Sequence, residues 1–317
     1  MYSLHFYGQM LADAPRMDAY VAALRHAVKP DSVVLDLGCG PGVFALLACK
    51  FGARRVYAIE PDNVIGVARE AATANGCADR IEFFQGLSTE ITLPEPATII
   101  ISDLRGVLPW FEQHLPSIID ARERLLAPGG VLIPRRDVLW AAVVEAPEQH
   151  EDLVGPWKRF DLDLTAAERL ITNTWRKSYL KPEQLLADPV CWTSIDYYKI
   201  DNADIRAEIS WQAARNGTAH ALAVWFDSEL ADGVSLSNHP AAPKMIYGVG
   251  LFPFSQPVAI AAGERIELRL AADLVRDGYV WRWDTEVFAG TRLKASFKQS
   301  TFYGVPLSQA QLRKSAG

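Results

Sequence analysis

Val33-Val34-Leu35-Asp36-Leu37-Gly38-Cys39-Gly40-Pro41-Gly42 is the stretch that decides the fold of this chain. Its apolar start, broken only by Asp36, reads as a short strand buried in a parallel sheet. The glycines that follow turn the backbone tightly and let a ligand approach the main chain without meeting a Cβ. Val43 to Phe51 is apolar nearly all round and predicts a helix packed on the sheet. Arg55 to Glu60 predicts a second strand, with Glu60 twenty residues beyond Gly40, where a carboxylate can accept hydrogen bonds from ribose hydroxyls. Strand, glycine loop, helix, strand and acid together predict a nucleoside site at the carboxyl ends of adjacent strands.

Outward from this unit, Asn63 to Asn75 is alanine-rich and helical, and Ile81 to Gln85 and Ala97 to Ser102 read as strands. Glu112 to Leu126 has apolar residues at helical spacing and is expected to stop at Pro128-Gly129-Gly130, with Val131-Leu132-Ile133 beginning a fifth strand. Residues 1–134 therefore read as an α/β, Rossmann-like doubly wound domain. After Pro134 the segments Arg206 to Trp211, Ala219 to Phe226, Met245 to Phe252, Arg265 to Ala271 and Tyr279 to Phe288 are short and alternating. Asn-Gly, Asp-Gly and Ala-Gly-Glu turns separate them. Residues 135–317 therefore predict an antiparallel β-barrel-like domain. Seven of the nine tryptophans lie beyond position 150, which suits a second, aromatic core. Leu164 to Leu186 is helix-prone and reads as an inserted arm, about 160–187. In the tail, Ser296-Phe297-Lys298 and Thr301-Phe302-Tyr303 are expected to complete the β-domain.

Composition narrows the function. A net charge of −6 argues against a protein that grips nucleic acid through bulk electrostatics. No apolar run approaches the ~18 residues needed to span a membrane, and the N-terminus lacks the pattern of a signal peptide, so the expectation is a cytoplasmic protein. Cys39, Cys49, Cys77 and Cys191 are irregularly spaced and predict neither a disulfide framework nor a metal site.

The glycine spacing discriminates between cofactors. A dinucleotide oxidoreductase carries G-x-G-x-x-G, with a helix N-terminus aimed at a pyrophosphate. Here the spacing is G-x-G-x-G and Asp36 precedes Gly38 by two residues, an anionic setting suited to a ligand bearing an ammonium and a sulfonium. This loop resembles that of S-adenosylmethionine-dependent methyltransferases, with Asp36, Gly38, Gly40 and Glu60 as candidate cofactor residues.

A closer resemblance is to the protein arginine methyltransferases. Gln9-Met10-Leu11-Ala12-Asp13-Ala14-Pro15-Arg16 through Tyr20 resembles the family's E-M-L-x-D-x-x-R-x-x-x-Y helix, which implies that Met10 and Arg16 contact S-adenosyl-L-methionine, Arg16 at its carboxylate. Gly86 to Glu90 resembles the loop whose last acid contacts the adenine amino group, here Glu90. Ser102-Asp103-Leu104-Arg105-Gly106 through Glu112 resembles the double-glutamate loop, with Asp103 and Glu112 at the acidic positions. Two carboxylates suit the chemistry: they hold a guanidinium in line with a methyl donor and accept the proton it releases.

The departures surround the acceptor. Asp103 is one methylene shorter than glutamate. Arg105 stands where the family has methionine, and a fixed cation there repels a guanidinium unless Asp103 or Glu112 is paired with it. Met245-Ile246-Tyr247 replaces the family's threonine-histidine-tryptophan loop. Arg105 and Tyr247 are thus candidate acceptor residues, and Arg105 could recruit an acceptor carboxylate. The resemblance implies N-methylation of a guanidinium or related nitrogen, on a protein arginine or a small molecule, and a homodimer formed through the 160–187 arm. The same scaffold could serve as a natural-product methyltransferase or as a catalytically silent cofactor-binding interaction protein.

Overall fold

The computed structural model describes residues 3–304; residues 305–317 of the tail lie outside them. Two compact units emerge. One comprises the chain up to Val138 with Ser194–Ala203 and Phe226–Tyr247, and the other comprises Leu139–Thr193, Asp204–Trp225 and the chain from Gly248 onward.

The first unit opens with two helices, α1 (Leu4–Ala12) and α2 (Ala14–Ala27). Asp13 separates them and caps α2 through the amide of Arg16, while Pro15 occupies the first turn, where a missing N–H costs nothing. There follow β1 (Val33–Leu37), α3 (Val43–Lys50), β2 (Arg55–Ile59), α4 (Ile65–Ala74), β3 (Ile81–Phe84), β4 (Ala97–Ser102), α5 (His114–Arg124) and β5 (Leu126–Ile133). The five strands form one sheet in the order β3-β2-β1-β4-β5, and every pair in it is parallel. The order reverses beside β1, so the loops after β1 and β4 open a crevice at one end of the sheet. β1 is buried along its whole length, as its apolar run requires.

One sequence expectation needs correction here. The Pro128-Gly129-Gly130 cluster does not precede the fifth strand but lies within it. Gly129 takes a φ of 72°, and the register with β4 shifts between Ala97 and Ile99, so the breakers are absorbed as a bulge.

The remaining elements are β6 (Arg136–Val144), α6 (Pro147–Val154), α7 (Thr165–Ile171), β7 (Arg176–Ser178), β8 (Val190–Asp196), β9 (Ile205–Gln212), β10 (Gly217–Ala231), β11 (Val234–Ser237), β12 (Val249–Ile260), β13 (Arg265–Val275), β14 (Gly278–Ala289) and β15 (Arg292–Ser300). One sheet has the order β7-β12-β10-β6-β8 with β11 beside β10, and another has the order β15-β14-β13-β9. The β-rich second half is thus present as two sheets. The expected arm holds one short α-helix, α7, after which the chain extends as β7, pairs with β12 and makes a 3₁₀ turn at Pro182–Gln184. Met245-Ile246-Tyr247 is likewise not strand: β12 begins at Val249, which leaves Tyr247 on a loop. Thr301–Tyr303 forms a single 3₁₀ turn after β15. No helix among the described residues is long and apolar enough to cross a membrane.

The second unit's core is aromatic, as the tryptophan distribution predicts. Phe252 of β12 meets Trp281 and Trp283 of β14 with ring centroids 5.1 and 5.4 Å apart, and Trp175 stacks on Phe252 at 5.7 Å. The Trp283 indole donates to the Pro253 carbonyl, so burying this ring strands no polar atom. Trp281→Ala should lower stability by about 3–5 kcal/mol, measured as the shift in urea unfolding; a loss below about 1 kcal/mol would contradict the packing described.

Candidate active site

The glycine loop between β1 and α3 is held by acids. Glu60, just past β2, accepts from the Gly40 amide at 2.9 Å through Oε2 and from the Asp62 amide at 2.9 Å through Oε1. Burial raises its pKa above the ordinary value, and these two amides pull it back. Gly38 and Gly40 both have positive φ, and their open faces are filled: a Cβ on Gly38 would lie 2.1 Å from Leu104, and one on Gly40 2.7 Å from the Tyr7 ring. Side chains thus reach the loop backbone directly, which only glycine permits.

Asp36 corrects an expectation. It is 1% exposed, does not line the cleft, and accepts from the Ala45 amide in the first turn of α3 at 2.8 Å. Its carboxylate satisfies a helix N-terminal donor instead of facing a ligand.

Over the loop lies a narrow cleft lined by Tyr7, Met10, Arg16, Gly38, Gly40 and Asp103, among others. Four of the sequence-predicted cofactor residues therefore meet here, and Glu60 backs them through Gly40. Glu90, on a 3₁₀ turn at Ser88–Glu90, is exposed.

At the inner end of the cleft, Asp103 follows β4 and gathers four donors. Arg16 donates through Nε at 2.7 Å and approaches through Nη2 at 2.5 Å; Tyr20 donates its hydroxyl to Oδ1 at 2.9 Å; the Tyr247 hydroxyl lies 2.7 Å from both oxygens. A carboxylate offers about four lone-pair sites, so Asp103 is saturated. Burial disfavours the Arg16 cation, yet the adjacent Asp103 carboxylate holds its pKa above the ordinary value; burial, then Asp103, raises Tyr247 as well. Asp13 fixes the Tyr247 loop by accepting from the Ile246 amide at 2.7 Å.

Arg105 also departs from expectation. Its side chain is 0% exposed, so it is not a surface cation awaiting an acceptor carboxylate; its close ion-pair partner is Asp137 at 2.8 Å, while Asp103 Oδ1 lies 3.9 Å from its Nε and Glu112 is not paired with it. Nη1 donates to both oxygens of Asp137 at 2.8 and 2.9 Å, Nη2 donates to the Tyr20 hydroxyl at 3.3 Å, and the guanidinium lies over the Phe226 ring at 4.8 Å. Tyr197 donates to Asp137 at 2.6 Å and lies 3.2 Å from His114 Nε2. Burial, followed by the nearby Arg105 charge, pushes the His114 pKa down to about 3, so the imidazole is neutral at physiological pH. Glu112 is not brought to this cluster: it is exposed, has a φ of 44°, and makes no hydrogen bond or ion pair among the described residues.

Sequence reasoning missed Tyr20, Asp137, Tyr197 and His114. Tyr20 stood in the quoted helix motif, but no local signal ties Asp137 to Arg105, 32 residues away.

Two family models match this chain. Residues 18–136 match the family described as ribosomal protein L11 methyltransferase, and residues 135–278 match the arginine methyltransferase oligomerization subdomain. An arginine N(omega)-methyltransferase of Streptomyces achromogenes subsp. streptozoticus is 30% identical over 273 residues, covering 82% of this chain and 74% of its own. Protein arginine N-methyltransferase 1 of Dictyostelium discoideum is 28% identical over 267 residues, covering 81% and 78%. The solved Trypanosoma brucei PRMT1 enzyme-prozyme heterotetrameric complex with AdoHcy superposes with a TM-score of 0.83 at 25% identity, covering 95% of this chain and 98% of that one.

Asp36 yields a pH test. Burial is the main cause that pushes its pKa up to about 7, above the 3.8 of an exposed aspartate. Folding therefore favours the protonated form, so the associated stability is fully present below about pH 4 and is lost as pH rises through 7. Asp36→Asn still offers an acceptor to Ala45 and cannot ionise. Urea unfolding at pH 5 and pH 8 should show the wild type losing roughly 1–3 kcal/mol relative to this variant across that interval. Parallel pH dependence of the two proteins would contradict the assignment.

Proposed function

The chain belongs to the protein arginine N-methyltransferase family, and we propose that it transfers a methyl group from S-adenosyl-L-methionine to a guanidinium nitrogen of arginine. The observation that carries this reading is a glycine-floored cleft whose inner end is the buried Arg16–Asp103 pair. The residues fit the cofactor: Arg16 is a donor for its carboxylate, Glu60 an acceptor for ribose hydroxyls, and Gly38, Gly40 and Met10 form the walls. Glu90 serves the adenine from the rim, and Asp36 acts indirectly by fixing the loop and α3. When bound, the cofactor supplies an electrophilic methyl group.

The chain's own part is orientation. Asp103 is the anionic group for the acceptor, and because all its lone pairs are occupied, an incoming guanidinium replaces a resident donor. Tyr247, whose hydroxyl spans both Asp103 oxygens, is the acceptor-side residue that yields most readily, since a neutral hydroxyl is held less strongly than the Arg16 guanidinium. Glu112, exposed in this structure, is the second acid and approaches when an acceptor is present.

Protein-bound arginine is the acceptor that most relatives' names support, and the Streptomyces relative's name supports free arginine as a second arm. Asp103→Asn should lower kcat/KM for methyl transfer at least about 100-fold. Arg16→Met should weaken S-adenosylmethionine binding about 10- to 100-fold by calorimetry. Full activity of the Asp103 variant on both an arginine peptide and free arginine would overturn the proposal.

A homodimer through the 160–187 arm accounts for the exposed apolar side chains there, Phe160 at 80% and Leu162 at 60%. Light scattering should give a dimer at micromolar concentration, and a monomer for the Phe160→Asp/Leu162→Asp double variant. A monomeric wild type would contradict the dimer.

A further inference from the structure

Arg105 lies between two carboxylates and is committed to one of them. Asp137 takes hydrogen bonds from it on both oxygens, whereas its Nε, 3.9 Å from Asp103 Oδ1, is buried without a hydrogen bond. Neither Arg105 nor Asp137 has side-chain exposure, so their charges are compensated by each other and not by water. Tyr197 anchors Asp137 from the other side at 2.6 Å, and Tyr20 joins the two ends of the network, accepting from Arg105 and donating to Asp103. Arg16, Asp103, Arg105 and Asp137 sum to zero charge.

We propose that Asp137 is a positioning residue for methyl transfer: by holding Arg105, it keeps a second resident guanidinium off Asp103 and so leaves that carboxylate accessible to a cationic acceptor. The inference rests on the guanidinium-acceptor reading above. Without Asp137 the site carries one excess positive charge, and the nearest carboxylate to Arg105 is Asp103. Arg105 then moves onto Asp103, and an acceptor guanidinium competes with two internal ones. Asp137 in this way supplies the compensating charge that an arginine beside Asp103 requires.

The test compares Asp137→Asn, Arg105→Met/Asp137→Asn and Tyr197→Phe in the full chain. Asp137→Asn should raise the KM for an arginine peptide at least tenfold, while the S-adenosylmethionine Kd, read by calorimetry, stays within threefold. The double variant removes both buried charges and should return the acceptor KM to within threefold of wild type. Tyr197→Phe keeps the ion pair but loosens it, and should raise the acceptor KM about threefold, so a poorly folding Asp137→Asn does not end the test. Loss of rescue in the double variant, or an unchanged acceptor KM in both Asp137→Asn and Tyr197→Phe, overturns the proposal. A crystal structure of Asp137→Asn gives a readout independent of activity: Arg105 hydrogen-bonded to Asp103 supports the inference, and Arg105 in its present place contradicts it. Should the wild type methylate no guanidinium at all, the functional reading fails, and the crystal structure alone decides whether Asp137 restrains Arg105.

Discussion

The carboxylate of Asp103, filled by four donors in a nearly dry pocket, is the interaction on which the rest of this site depends. Its donors come from separate pieces of chain: Arg16 and Tyr20 from one helix, and Tyr247 from a loop fixed by Asp13. A buried anion is tolerated only where such partners converge. The sheet therefore has to end at Ser102, the N-terminal helices have to lie over the glycine loop, and the 245–247 loop has to return to that point. Each is satisfied within one compact unit of the chain.

Charge balance is the second constraint. Two arginines, Arg16 and Arg105, lie beside the single carboxylate of Asp103, and the fold balances the charge by burying a second acid, Asp137, against Arg105. Tyr20 and Tyr197 tie the two ion pairs into one network, with pKa values raised chiefly by burial, and a neutral His114 closes its end. Fully satisfied buried networks hold a single geometry, whereas partly satisfied ones do not. The Nε of Arg105 is the network's open donor, and it faces the site.

How much of this could be read in advance divides by the range of the interaction. The parallel sheet, its glycine loop and the acid after β2 were legible because strand periodicity, glycine spacing and a twenty-residue offset are local signals. The aromatic second core was legible from where the tryptophans fall. Asp36 was misread because the same position serves a ligand or a helix amide, and only its burial against Ala45 decides. Arg105 was misread because its partner is distant in sequence and sits on β6, a strand the alternation pattern did not reveal. The 128–130 breakers were read as a boundary, but a bulge with one left-handed glycine let the strand continue.

The most direct measurement of the central claim is isotopic. The protein would be supplied with S-adenosylmethionine carrying a ¹³C-methyl group and with arginine, free or in a peptide, labelled with ¹⁵N in the guanidinium. One-bond ¹³C–¹⁵N coupling in the product is predicted, placing the methyl on a guanidinium nitrogen. A product methylated at any other atom, or no labelled product from either acceptor, would contradict the account.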